Sequence, residues 1–162
     1  MIFGKMKLGS MFNKSGYKFG GSSEMKLAGV EPALIAVTRR ALELSVMDFG
    51  ITCGLRTQHE QNQLVIQGKS QIRHSRHQDG MAVDIVVYKD GKVTWELAHY
   101  IVVAEAFAKA AKELKTPLRW GGAWSHDLDK NKALKAHNAY VKLRESQNRK
   151  PFIDGPHFEI PK

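Results

Sequence analysis

Cysteine is almost missing from this 162-residue chain: Cys53 stands alone, so no internal disulfide can staple the fold. Within the apolar stretch Phe49-Gly50-Ile51-Thr52-Cys53, the expectation for it is a small buried core residue. A nucleophilic cysteine would need a histidine partner and an electropositive pocket, and nothing in the sequence singles Cys53 out for that role. Long apolar runs are missing too. None approaches the roughly 18 residues that span a bilayer. The opening Met1-Ile2-Phe3-Gly4-Lys5-Met6-Lys7-Leu8 breaks too soon for the apolar core of a signal peptide. These absences predict a chain kept in the cytoplasm unless something else exports it. Acidic residues are scarce at the start, none preceding Glu24, and the net charge is +9. An excess of that sign attracts a polyanion, whether nucleic acid, an anionic membrane face or an acidic wall polymer. The basic residues are scattered, without an arginine tract or an aromatic-interleaved basic strand, so no nucleic-acid partner is expected.

What is present describes one globular domain. Hydrophobic content of 43% and charged content of 25% suit a chain that buries a single core. Residues 1–22, rich in Gly and Ser and carrying Lys5, Lys7, Lys14 and Lys18, read as a basic flexible arm that could contact an anionic envelope surface. The domain is expected over 23–162. Pro32 suits a first helical turn, with Leu34, Val37, Ala41, Leu42 and Leu44 following at helical spacing. A short strand through Ile51 comes next. Thr57 and Glu60 then form a capping box for a second helix that ends at Gly68. Ala82-Val83-Asp84-Ile85-Val86-Val87-Tyr88 is a β-rich run, turned by Lys89-Asp90-Gly91 into a hairpin with Lys92-Val93-Thr94. Glu96 to Lys115 is the longest helix, stopped by Pro117. Leu118-Arg119-Trp120 is a short strand, 131–147 a surface helix, and His157-Phe158-Glu159-Ile160 a final strand. The fold class is α+β, a small largely antiparallel sheet with flanking helices.

Four residues suggest the chemistry. His77 and Asp84 lie in Ser75-Arg76-His77-Gln78-Asp79-Gly80-Met81-Ala82-Val83-Asp84, and Asp154 and His157 in Asp154-Gly155-Pro156-His157-Phe158-Glu159. Two imidazoles and a carboxylate are a common ligand set for catalytic zinc, which keeps a position free for water. Asp154 is then a spare carboxylate placed to take a proton. Asp84 sits among apolar strand neighbours, where an ionised carboxylate needs a cation or a hydrogen-bond network. Taken alone, it could equally cap backbone amides.

The pattern Ser-x-His-x-x-Gly-x-Ala-x-Asp, followed far downstream by acid-x-x-His, resembles the zinc peptidases of the D-alanyl-D-alanine carboxypeptidase/dipeptidase (VanY) type. Within them it is more similar to phage endolysins that cut the L-alanyl-D-glutamate bond of peptidoglycan. Ser23-Glu24, Ala41-Leu42-Glu43-Leu44-Ser45, Gly54-Leu55-Arg56-Thr57 and Leu118-Arg119-Trp120-Gly121-Gly122 carry the resemblance over roughly 23–160. It implies a single-domain zinc peptidase of D-Ala-D-Ala carboxypeptidase-like fold, with zinc (Zn2+) on His77, Asp84 and His157 and with Asp154 as the catalytic acid/base. Arg56 would steady the oxyanion or a substrate carboxylate, and Ser75 would support a ligand or substrate by a hydrogen bond. Aspartate rather than glutamate at 154 favours the endolysin branch. The peptidoglycan stem peptide would be the substrate, and the protein would act as a monomer, waiting in the host cytoplasm for a membrane breach. The alternatives are a D-alanyl-D-alanine carboxypeptidase or dipeptidase with a shortened base, and a zinc-holding binding module without catalysis.

His59, His74, His99, His126 and His137 fit no ligand spacing with the central motif. Trp120 and Trp124 are expected either to wall the cleft or to pack in the core. Asp127-Leu128-Asp129-Lys130-Asn131 begins like a calcium loop. However, Lys132 stands where such a turn wants glycine and Asn138 where it wants a bidentate glutamate, so a solvated loop is expected.

Overall fold

A computed structural model describes residues 15–162. The elements run α1 (Gly21–Leu27), α2 (Pro32–Leu44), β1 (Asp48–Cys53), α3 (Gln58–Ile66), β2 (Ala82–Lys89), β3 (Lys92–Thr94), α4 (Leu97–Glu113), β4 (Arg119–Trp120), a short 3₁₀ turn at Leu128–Lys130, α5 (Ala133–Ser146) and β5 (His157–Glu159). This is the expected α+β class with a small antiparallel sheet. Local chemistry sets several boundaries. Thr57 Oγ1 accepts from the Glu60 amide while the Glu60 carboxylate accepts from the Thr57 amide, closing the capping box. Asp90 and Gly91 both take positive φ, 51° and 74°, as a tight hairpin between β2 and β3 requires.

The sheet runs β1-β2-β5-β4, with β3 also paired to β2. All pairings are antiparallel. β5 joins β2 at Ala82–Asp84 and β3 joins it at Val87–Lys89, so the two short strands share one edge of β2. Strand alternation then divides β2. Val83, Ile85 and Val87 enter the core, and Asp84 faces the other way. β5 divides likewise: Phe158 is in the core, while its neighbours His157 and Glu159 point to the face of Asp84.

The long helix α4 covers the core face with Val103, Ala104, Phe107, Ala110 and Ala111, all fully buried. Phe107 stacks on Phe158 with ring centroids 3.8 Å apart, and Phe49 lies 5.4 Å from Phe107. Aromatic pairs of this kind add about 0.5–1.5 kcal/mol beyond their buried area. The strand bearing His157 is therefore clamped from behind by its own neighbour.

Residues 15–22, which composition assigns to the arm, pack on the domain. The Ser15 hydroxyl donates to the Leu42 carbonyl at 3.0 Å, and Phe19 meets Phe49 edge-on at 5.7 Å. One aromatic ring in a Gly- and Ser-rich stretch suffices to dock it. Lys5, Lys7 and Lys14 lie outside the described residues.

Candidate metal centre

Asp84 is the middle of a cross-strand row. It pairs with Cys53 of β1 on one side and with His157 of β5 on the other, and paired residues project from the same face. His77 reaches the row from a tight turn preceding β2. In that turn the Gly80 amide donates to the His77 carbonyl and the Met81 amide to the Arg76 carbonyl. The Ser75 hydroxyl accepts from the His77 amide at 3.2 Å, so Ser75 steadies the backbone carrying this imidazole.

Each imidazole has one nitrogen engaged and the other turned inward. His77 Nδ1 donates to the Gly54 carbonyl at 2.8 Å, and its Nε2 lies 3.1 Å from Asp84 Oδ2. That Nε2 is buried and has no hydrogen bond. His157 Nε2 is held by Glu159 Oε2 at 2.8 Å, and its Nδ1 lies 3.0 Å from Asp84 Oδ1. A carbonyl or carboxylate behind an imidazole selects the tautomer whose lone pair faces forward, which is how metal-binding histidines are commonly supported.

The electrostatics agree. Burial disfavours charge on His77, but Asp84 and Cys53 outweigh it and push the imidazole up to about 10. Burial likewise opposes charge on His157, and Asp84 and Glu159 raise it to about 9. Burial would lift Asp84, yet the two imidazoles that face it, His157 and His77, hold it well below the usual carboxylate range. The pocket therefore demands positive charge between these groups, a demand that a divalent cation meets as well as protons do. The donor set fits zinc.

Asp154 stands beside this row in a braced turn. Its amide donates to the Gly121 carbonyl at 2.8 Å, and the His157 amide returns to the Asp154 carbonyl at 3.1 Å. Trp120 Nε1 donates to the Gly155 carbonyl at 2.7 Å. No side-chain hydrogen bond or salt bridge engages the Asp154 carboxylate among the described residues. Burial raises its pKa and the Asp84 charge adds to that, while His157 and His77 oppose it. Arg56 lies on the opposite side of Asp84. Its Nη1 donates to Gln61 Oε1 at 2.8 Å, its Nη2 to Cys53 Sγ at 3.3 Å, and the same Nη2 is 3.9 Å from Asp84 Oδ2. Fully buried Gln61 anchors this guanidinium, donating in turn to the Ile72 carbonyl at 2.6 Å.

The expectation of a core cysteine is corrected here. Cys53 is only half-buried, and its Sγ, a His77 ring nitrogen and an Asp84 oxygen all lie within 4.8 Å of one another. His157 falls outside that tightest group, on the second oxygen of Asp84. The cause is a β-bulge. Ile51 pairs with Ile85, but Cys53 pairs with Asp84, so two steps on β1 match one on β2. That slip moves Cys53 from the core face, where alternation from Phe49 and Ile51 would put it, to the face of Asp84.

Residues 15–160 match the family described as phage L-alanyl-D-glutamate peptidase. The chain belongs to that family. It is 41% identical over 123 residues to the L-alanyl-D-glutamate peptidase of Escherichia phage T5, a match covering 74% of this chain and 90% of that protein. Its fold is similar to that of the crystal structure of ChiX, an L-Ala D-Glu endopeptidase of Serratia marcescens. There the TM-score is 0.67 at 34% identity, over 89% of this chain and 90% of that one.

Glu159 and Gln61 are supports that residue-type reading passes over. Glu159 had a signal: two residues beyond His157 on a strand, it must share its face. Gln61 had none, since only the fold brings it to Arg56. Trp120 is fully buried and so serves the core, whereas Trp124 lies 5.3 Å from the His157 ring and stacks with Phe152. The residues resembling a calcium loop are spent on structure: Asp129 Oδ1 accepts from the Leu118 amide at 2.9 Å, and Asn131 Nδ2 donates to the Asp127 carbonyl at 2.7 Å. His74 pairs with Asp79 at 2.7 Å, away from the row. A surface depression of about 570 Å³, lined by Leu134, Lys135, Ala139 and Lys142 of α5 together with Glu105, holds none of this chemistry.

Proposed function

We propose that this chain is a zinc-dependent endopeptidase that hydrolyses the L-alanyl-D-glutamate bond of the peptidoglycan stem peptide, an endolysin of D-Ala-D-Ala carboxypeptidase-like fold. The observation that carries the reading is the pair of imidazoles, each fixed from behind and turned onto Asp84, beside the unengaged Asp154 carboxylate. Family membership supplies the substrate class.

His77 through Nε2, His157 through Nδ1 and Asp84 through its carboxylate would hold the zinc. A zinc ion there supplies Lewis acidity, acidifying water and polarising a carbonyl. Asp154 takes the proton of the attacking water and delivers it to the leaving amine of D-glutamate; a positioned base contributes about 10²–10⁴-fold. Its buried turn keeps the carboxylate in place without a competing partner. Arg56, always charged and forked, receives the developing oxyanion or a substrate carboxylate. Gln61 restricts its rotation. Ser75 holds the His77 turn.

The remaining readings belong to the same proposal. The catalytic domain works as a monomer, without nucleic acid, and the lysines of the N-terminal arm assist contact with an anionic envelope surface. The protein acts on the wall after a membrane breach. No helix among the described residues is long and apolar enough to cross a membrane.

The test is digestion of purified peptidoglycan with a chelator and after zinc is restored, read by mass spectrometry. New alanine carboxyl ends and new glutamate amines that appear only with zinc are expected. Release of D-alanine instead would make the protein a carboxypeptidase. An uncut wall, with zinc bound to the protein, would make it a binding module.

A further inference from the structure

The β-bulge gives Cys53 a position that the zinc-site reading leaves unused. Its Sγ lies within 4.8 Å of both a His77 ring nitrogen and an Asp84 oxygen. Donors on a tetrahedral zinc, with bonds of about 2.0–2.3 Å, stand about 3.5 Å apart, so small side-chain rotations bring the sulfur into the set. His77 offers a nitrogen on that side, its Nε2 facing Asp84 Oδ2 at 3.1 Å. Its side chain is 3% exposed and Nδ1 is committed to the Gly54 carbonyl, while Nε2 is buried and has no hydrogen bond. Arg56 Nη2 donates to the sulfur at 3.3 Å, an arrangement suited to a thiolate. Cys53, Gly54, Arg56 and Glu60 also line a cleft of about 320 Å³.

We propose that Cys53 is a fourth metal ligand, whose thiolate completes a closed set with His77, Asp84 and His157 in the resting protein. The inference rests on the zinc reading above. As the sulfur–metal bond forms, the thiol proton leaves to solvent; when it breaks, the sulfur takes one back, so no oxidant or reductant is required. A zinc site with four protein ligands is closed, whereas a hydrolytic one keeps a position for water. Cys53 therefore holds the centre latent. Arg56 makes the sulfur displaceable: its hydrogen bond draws charge from the thiolate and weakens its hold on the metal, so that an incoming oxygen can take its place as the sulfur accepts a proton. A soft sulfur donor also shifts the metal preference of an otherwise nitrogen and oxygen site.

The test is absorption spectroscopy of the full chain loaded with cobalt(II), beside Cys53→Ser and Cys53→Ala. The wild type is expected to show a near-ultraviolet sulfur-to-cobalt charge-transfer band, lost in both variants while their visible cobalt bands and bound cobalt persist. A wild type that binds cobalt and shows the visible bands without the charge-transfer band overturns the role of Cys53 and leaves the three-ligand centre standing. Absence of cobalt binding in folded wild type and variants alike overturns the zinc reading, and this inference with it.

Discussion

At the scale of single residues the proposed centre depends on what stands behind each candidate ligand. Glu159 fixes His157 through Nε2, so Glu159→Ala should weaken zinc binding by about 10–100-fold, the usual cost of removing such a support. Glu159→Gln keeps an acceptor and should lose less. Competition with a chromophoric chelator measures both, and equal affinity in Glu159→Ala and wild type would remove Glu159 from the account. His77→Ala, Asp84→Ala and His157→Ala should each lose zinc after gel filtration, together with activity; full metal content in all three would refute the ligand assignment. Asp154→Asn is different in kind. It should retain zinc and thermal stability while kcat falls by about 10²–10⁴-fold. Near-normal turnover would make Asp154 a structural residue.

At the scale of elements the close approach of the β4 exit to the Asp154 turn is the vulnerable point. A Cβ on Gly121 would fall 2.1 Å from the Asp154 carbonyl oxygen and 2.9 Å from its Cβ. Backbone cannot rotate away as a side-chain tip can, so the turn itself must shift. Gly121→Ala should cost about 1–3 kcal/mol of stability and reduce kcat further than its zinc content. Denaturant melts and single-turnover kinetics on the zinc-loaded protein separate the two effects; unchanged kcat would mean that the turn moves without moving the carboxylate. This coupling was only partly legible beforehand. The Gly121-Gly122 pair marks a turn in any reading, but its contact with Asp154 joins residues 33 positions apart in the chain. The Thr57–Glu60 capping box, the Asp90-Gly91 hairpin and the long helix were legible because their determinants lie within a few neighbouring residues.

At the scale of the whole molecule the net charge of +9 is the property to test. Attraction to an anionic wall acts over distances that salt screens, about 8 Å at physiological ionic strength. Activity on intact wall should therefore fall with added salt more steeply than activity on a small soluble stem peptide. Parallel salt curves for the two substrates would remove the charge from the account of substrate capture.

The sequence by itself determined the α+β class and the order of elements from Pro32 onward, and it singled out His77, Asp84, Asp154, His157 and Arg56 as candidates, while the helix Gly21–Leu27 was not read from it. Periodicity and short motifs are local, and a ligand set made of distinctive residue types stands out even when scattered. Tertiary structure alone decided the environment of those residues. The bulge in β1 turned Cys53 from the core to the centre, Gln61 was carried under Arg56, and the turn at Gly121 was pressed against Asp154. Each outcome depends on register or close approach between distant segments. One residue of slip reverses a side chain's face, and no local pattern in Phe49-Gly50-Ile51-Thr52-Cys53 encodes where that slip occurs.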